Sequence, residues 1–222
     1  MDIIFDYLKE IFNKNGFRLF MIGGASRDYL LKRSIDDYDF VTDATPSEIN
    51  KFLVVDNAFE RFGTVKYKYN NKKIDITTLR EEGDYNDSRH PSFIKFVKDI
   101  NLDYKRRDFT INAIYIDENY NIIDPTGFGI NDLKMKILRT IGNPDIRIKE
   151  DPLRILRAKR FCLEYGLIME EDTKIAISKN KSLLDLINKD KINEEKKKLE
   201  KIEREIKWIV QIIRQLILVI CY

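Results

Sequence analysis

Histidine occurs once in this chain of 222 residues, and cysteine only twice. His90 stands before a proline in a polar stretch, and Cys162 and Cys221 lie far apart without metal-ligand spacing. The sequence therefore offers no zinc site and suits a reducing cytoplasm. Long apolar runs are also missing. The run from Ile209 to Tyr222 is 14 residues long and is interrupted by Arg214, too short to span a bilayer. The amino terminus, Met-Asp-Ile-Ile-Phe-Asp, is acidic and lacks the positive start and apolar stretch of a secretory signal. A soluble, cytoplasmic protein without membrane contact is expected. An excess of one charge is absent as well, since 40 Lys and Arg face 37 Asp and Glu for a net charge of +3. Any contact with nucleic acid must then come from local patches. The length suffices for one large or two small domains.

What is present is concentrated between residues 22 and 42. An apolar strand, Leu19 to Ile22, runs into Gly23-Gly24, then Arg27-Asp28, a short amphipathic helix and Asp37-Tyr38-Asp39 on a second strand. Glycines let backbone N–H groups approach an anion, and the helix start adds its positive dipole end, so Gly24 and Arg27 are candidate phosphate-binding residues. Strand alternation puts Asp37 and Asp39 on one face, with Tyr38 and Phe40 toward the core. Adjacent carboxylates repel unless a cation lies between them, and Mg²⁺ takes hard oxygen ligands together with substrate phosphates. Phosphoryl transfer of the polymerase type uses that pairing. Taken singly, Gly-Gly is a turn and Asp-x-Asp a solvated loop or cap; the combination and its spacing carry the catalytic reading.

The remaining chain alternates helix and strand. Ile3, Ile4, Tyr7, Leu8, Ile11 and Phe12 recur at helical spacing, and Asn15-Gly16 ends that helix. Thr45-Pro46-Ser47-Glu48 reads as an N-cap, a first-turn proline and a capping glutamate, opening a helix to about Leu53. Phe62–Tyr69 and Lys73–Leu79 flank Asn70-Asn71-Lys72 as a hairpin, with Asp75 opposite Ile74 and Ile76 in facing. Asp75 is either an exposed strand aspartate or a third site carboxylate. Arg80 to Pro91 is polar and aperiodic, the composition of a surface loop. Phe93 to Ile100 alternates as a strand. Arg106-Arg107-Asp108 could be a plain surface ion-pair cluster, and Ile137 to Ile141 reads as a further strand.

With Ile22-Gly23-Gly24-Ala25-Ser26-Arg27-Asp28, Asp37-Tyr38-Asp39, Arg106-Arg107-Asp108-Phe109-Thr110-Ile111-Asn112-Ala113 and Glu150-Asp151-Pro152-Leu153-Arg154 in view, the chain resembles the class II tRNA nucleotidyltransferases, or CCA-adding enzymes, and the bacterial poly(A) polymerases similar to them. The likeness covers roughly residues 17 to 200. It implies an α+β fold: a nucleotidyltransferase, polymerase-beta-like head with a mixed sheet and flanking helices over 1–145 and an all-α neck over 146–200; beyond it, the apolar spacing of 201–222 reads as a C-terminal amphipathic helix. It implies catalysis by Asp37, Asp39 and Asp75, with Mg²⁺ on Asp37 and Asp39, and nucleotide contacts from Gly24, Arg27 and Arg107, with Asp108 beside the ribose. A flexible loop where Arg80 to Pro91 stands belongs to the full CCA-adding enzymes. The family's body and tail, which hold tRNA, are expected to be missing from this stretch.

Asp151 is suited to cap a helix that has Pro152 in its first turn. Arg154, Arg157 and Arg160 step by three residues, so each drifts back by roughly 60° and they form a slanting cationic stripe. That stripe is a solvated face on one reading. On the resemblance it contributes to the nucleotide site, where Asp151 and Arg154 pair with the Watson–Crick edge of CTP or ATP. A carboxylate accepts from the exocyclic amine that C and A share, and a guanidinium donates to ring nitrogen or carbonyl. The implied activity is template-independent addition of CMP and AMP to the tRNA 3′ end. Poly(A) addition and a non-catalytic RNA-binding or assembly module are the alternatives. Lys189-Asp190-Lys191-Ile192 stands where the family carries a Glu-Arg pair. From Leu199 to Ile220, apolar residues at three- and four-residue spacing form a seam. It is expected either to bind a second copy or subunit or to fold back on the neck.

Overall fold

The computed structural model describes residues 2–83 and 91–220, the side chains of 213–220 excepted. The chain divides into two compact units, residues 1–135 with 139–142, and residues 136–138 with 143–222.

In the first unit, helix α1 (Ile3–Lys14) opens on Asp2, whose carboxylate accepts from the Ile4 and Phe5 N–H groups at 3.1 and 3.0 Å. It buries Ile4, Phe5, Leu8 and Phe12. Strand β1 (Leu19–Met21) leads to α2 (Gly23–Leu30) and β2 (Asp37–Thr42). Helix α3 (Pro46–Ile49) forms with the expected capping box, Thr45 and Glu48 bonding reciprocally. It gives way to turns after Ile49, earlier than the expected Leu53. Strands β3 (Thr64–Tyr69) and β4 (Lys72–Thr78) make the expected hairpin with a tighter turn than expected: Lys72 pairs with Tyr69 and opens β4, Phe62 ends a 3-10 turn before β3, and Asn70 and Asn71 alone, both at positive φ (48° and 62°), form the two-residue turn.

Strand β5 (Arg80–Glu82) pairs with β6 (Ile94–Phe96). The start of the stretch read as a loop is thus a strand; residues 84–90, including His90, lie outside the described residues. The strand expected to reach Ile100 stops at Phe96, because Asp99 caps helix α4 (Ile100–Asp103). Strands β7 (Tyr115–Ile116) and β8 (Ile122–Ile123) and helix α5 (Gly129–Met135) follow.

The main sheet runs β3-β4-β2-β1-β7-β8. Strands β2 and β4 are parallel and the other neighbours antiparallel, which makes the mixed sheet of a nucleotidyltransferase head. One face is covered by α1 and α2 around Leu8, Phe12, Met21, Ala25, Phe40 and Ile76. That burial fixes β2 by its alternate residues Tyr38 and Phe40, which leaves Asp37 and Asp39 on the opposite face.

In the second unit, β9 (Ile137–Leu138) is shorter than the expected strand to Ile141 and pairs in parallel with β10 (Ile168–Met169). Helices α6 (Pro144–Glu150), α7 (Leu153–Tyr165), α8 (Glu171–Lys179) and α9 (Lys189–Ile220) make up the rest. Helix α7 buries Ile155, Ala158 and Phe161 and ends at Gly166 with φ 63°. It lies along α9, while α6 lies against α8. Helix α9 runs unbroken through residue 200, so the division expected there falls inside one element. Leu199 and Ile202 are half-buried, whereas Ile206, Trp208, Ile209 and Val210 are exposed. No helix among the described residues is long and apolar enough to cross a membrane.

Candidate active site

Asp39 on β2 stands in register with Asp75 on β4, and Asp37 with Lys73. Because β2 and β4 are parallel neighbours, equal pleat phase places all three carboxylates on one face. Asp37 is exposed and Asp39 and Asp75 are half-buried. Asp75 is partnered by Lys66 of β3 at 3.5 Å. On the other flank of β2, the turn from β1 into α2 closes onto Asp39. The Gly24 N–H donates to Asp39 Oδ2 at 3.4 Å, and the Ile22 N–H donates to the Asp39 carbonyl at 3.0 Å. Gly23 adopts φ +66°, and a Cβ there would come to 2.9 Å from Asp39 Oδ2. Glycine is therefore required at 23 twice over, by backbone conformation and by the nearness of a carboxylate.

Arg27 is almost fully buried and donates to Asn112 Oδ1 at 2.5 Å. The Asn112 amide in turn donates to Asp108 Oδ1 at 3.1 Å, and Asp108 also accepts from the Phe109 N–H at 2.8 Å. Arg27 and Asp108, 81 residues apart in sequence, thus share one intermediary. Arg107 is held differently. Its Nε and Nη2 donate to Asp103 Oδ2 at 3.1 and 2.9 Å, with Tyr115 Oη at 3.3 Å. Arg106 takes Asp103 Oδ1 at 2.8 Å. Asp103 is wholly buried. Burial alone would raise its carboxyl, but Arg106 and Arg107, the Tyr115 hydroxyl and the Arg80 N–H hold it well below the usual carboxylate range.

Sequence reasoning missed Asp103, Asn112 and Tyr115. The four-residue spacing of Asp103 and Arg107, an acid and a base close in sequence, was the available signal for the first.

In the second unit, Asp151 is the C-cap of α6 and accepts from the Leu153 N–H at 3.1 Å, while Pro152, expected inside the first turn, takes the N-cap position of α7 instead of Asp151 and can offer no side-chain cap. Arg154 is nearly buried, donating to the Arg147 carbonyl at 2.5 Å and to Glu150 at 3.2 Å. Arg157 lies 5.8 Å from the Phe161 ring centroid. Arg160 is paired with Glu195 at 3.0 Å and Glu164 at 3.3 Å, joining α7 to α9. The stripe of three arginines is therefore not a uniform solvent-facing surface, because Arg154 and Arg160 are bound to carboxylates. An open depression of about 590 Å³ lined by Asp2, Tyr29, Leu30 and residues 32–35 carries none of the three site carboxylates.

The mixed sheet, with a glycine turn closing on a strand that bears paired aspartates, defines the nucleotidyltransferase head fold. The chain belongs to the Poly A polymerase head domain family, whose pattern matches residues 19–139. It is 40% identical over 188 residues to the CCA-adding enzyme of Geobacillus thermodenitrificans, covering 84% of this chain and 46% of that protein. To the CCA-adding enzyme of Staphylococcus saprophyticus it is 42% identical over 176 residues, covering 77% of this chain and 43% of the other. Among solved structures, the Bacillus stearothermophilus CCA-adding enzyme in complex with CTP matches 90% of this chain and 49% of its own at TM-score 0.80 and 34% identity. The Thermotoga maritima CCA-adding enzyme complexed with tRNA-CCA matches 90% of this chain and 48% of its own at TM-score 0.70 and 25% identity. The chain spans about half the length of the relatives it matches.

Proposed function

We propose that this chain carries the catalytic and base-selecting parts of a template-independent tRNA nucleotidyltransferase that adds CMP and AMP, from CTP and ATP, to the tRNA 3′ end in the cytoplasm. The division of labour is a head over 1–145 and a neck from 146 on, with α9 running through residue 200 as one element of it. The observation that carries this reading is the register of Asp39 beside Asp75, with the Gly23-Gly24 turn closed onto Asp39 from the other flank. The relatives described above favour CCA addition over poly(A) addition, since they are CCA-adding enzymes.

In the reaction, the RNA 3′-hydroxyl oxygen bonds to the α-phosphorus as the bond to the β-phosphate breaks, and pyrophosphate leaves with that electron pair. The hydroxyl proton passes to Asp75, which lies on the carboxylate face next to Asp39. The N–H groups of the Gly23-Gly24 turn and the Arg27 guanidinium offset phosphate charge. Arg107 contacts the nucleotide, fixed by Asp103, and Asp108 accepts from the ribose 2′-hydroxyl that separates an NTP from a dNTP.

Among the described residues no three carboxylate, imidazole or thiol side chains form a ready metal cage. Asp37 and Asp39 nonetheless fit Mg²⁺, an ion content with one or two carboxylates when phosphate oxygens and water complete its shell. When bound, Mg²⁺ would supply charge stabilisation on the phosphates and a lowered pKa for the attacking hydroxyl.

Base choice falls to Asp151 and Arg154, with Arg157 one turn along α7 beside them, while Arg160 is tied to Glu164 and Glu195 and holds α7 to α9. The test is incubation with tRNA lacking CCA and each labelled NTP in turn. The parent is expected to incorporate CTP and ATP and reject UTP and GTP, and Arg154→Ala to lose roughly tenfold or more of that discrimination, one half of the hydrogen-bonding pair being gone. A variant as selective as the parent would rule the pair out.

The exposed Ile206, Trp208, Ile209 and Val210 also support self-association through α9. Light scattering is expected to give a dimer that Ile206→Asp with Ile209→Asp dissociates. A monomer at every concentration would end that proposal.

A further inference from the structure

The proposed reaction fixes a direction of approach. In-line displacement sets the attacking oxygen opposite the leaving pyrophosphate. The Gly23-Gly24 turn lies on the β1 flank of β2, so the RNA end must arrive over the other flank, across β4 and β3. What lies there is cationic. The register runs Asp39, Asp75, Lys66 in one row and Asp37, Lys73, Lys68 in the next. Tyr67 and Tyr69 are packed into the core on the opposite face, Tyr69 stacking on Tyr7 of α1 at 4.6 Å, so alternation puts Lys66 and Lys68 on the carboxylate face.

Lys66 is engaged with Asp75 and lies 5.1 Å from the Phe59 ring centroid. Lys68 and Lys73 are exposed and directly opposite one another across the β3–β4 ladder. Among the described residues neither ammonium is paired with a carboxylate. Like charges directly opposite across a ladder are unfavourable. As with the paired aspartates, a counter-ion of opposite sign would relieve the repulsion. An RNA strand aimed at Asp75 would bring its backbone phosphates over these two residues.

Resting on the function proposed above, we infer that Lys68 and Lys73 form a phosphate track for the single-stranded 3′ end of the acceptor RNA. The track places the terminal hydroxyl on the Asp75 side of the site.

The test is fluorescence anisotropy of the full chain with a 5′-labelled, single-stranded RNA dodecamer ending in CC and bearing a free 3′-hydroxyl, measured from 50 to 200 mM salt. Three proteins are compared: the parent, Lys68→Glu with Lys73→Glu, and the charge-matched control Lys196→Glu with Lys197→Glu on the exposed side of α9. The track predicts that the first double variant binds at least about tenfold more weakly and that its salt slope falls by about 1.4, at about 0.7 per phosphate contact. The control stays near the parent, and CTP affinity is unchanged in all three. Equal weakening by both pairs, or no change in either, overturns the track. An RNA that binds with the expected sensitivity but is never extended supports the track and defeats the proposed transfer activity alone. Normal extension with unaltered binding in Lys68→Glu, Lys73→Glu does the reverse.

Discussion

Asp39→Ala is expected to reduce CMP incorporation by roughly a thousandfold or more, while unfolding free energy stays within about 1 kcal/mol of the parent. The two halves of this expectation have separate causes. Asp39 is the residue on which the site converges: Asp75 stands beside it on β4, Asp37 precedes it on the same face, and the Gly23-Gly24 turn closes over it. Its loss removes half of the proposed ion-binding pair and the anchor of the phosphate turn together. For the fold, the hydrogen bond that Gly24 donates to Asp39 is 3.4 Å, long and therefore weak, and Asp39 is half-buried on the face away from the main core. Against it stands relief of repulsion among three carboxylates on one face, which favours the variant. Single-turnover transfer of labelled CMP and urea unfolding, run on the same preparation, separate the two. Transfer within tenfold of the parent would remove Asp39 from the site, and a large stability loss would make its role structural.

Local features of this molecule were legible because their partners are close in sequence. The Thr45 and Glu48 capping box spans three residues, the Asn70-Asn71 turn two, and the facing of Asp37 and Asp39 follows from strand period alone. The position of Asp75 beside Asp39 was half legible. Alternation put it on a polar face, but only a parallel pairing of β2 with β4, across an intervening β3, brings it level with Asp39. Long-range pairings had no local signature. Arg160 reads as a stripe member until Glu195, 35 residues on, takes its guanidinium. Phe93 to Ile100 alternates convincingly, yet the Asp99 cap bonds the Asn101 N–H and turns the chain into α4. Arg106-Arg107 looks like a surface cluster because its counter-charge, Asp103, completes its hydrogen bonds with Tyr115 and with the backbone of Arg80.

That buried carboxylate should set the acid limit of the head. Asp103→Asn is expected to cost about 3–5 kcal/mol at pH 7, the usual consequence of removing one partner from a buried ion pair. Two guanidinium groups, each about 14% exposed, would lose the carboxylate charge that they share. The amide keeps the shape and one acceptor oxygen, so the loss reports charge more than packing. The sign with pH follows from the direction of the shift. The folded carboxyl is held below its ordinary value, which in the unfolded chain is about 3.9. Its contribution is therefore complete above that unfolded value and is lost as pH falls from there toward the folded one. Urea unfolding of parent and variant at pH 7, 5, 4 and 3 should thus give a gap that is constant from 7 to 5 and narrows below about 4. A gap that stays constant down to pH 3 would mean that Asp103 acts through shape alone, and no gap at pH 7 would mean that Arg106 and Arg107 do not depend on it.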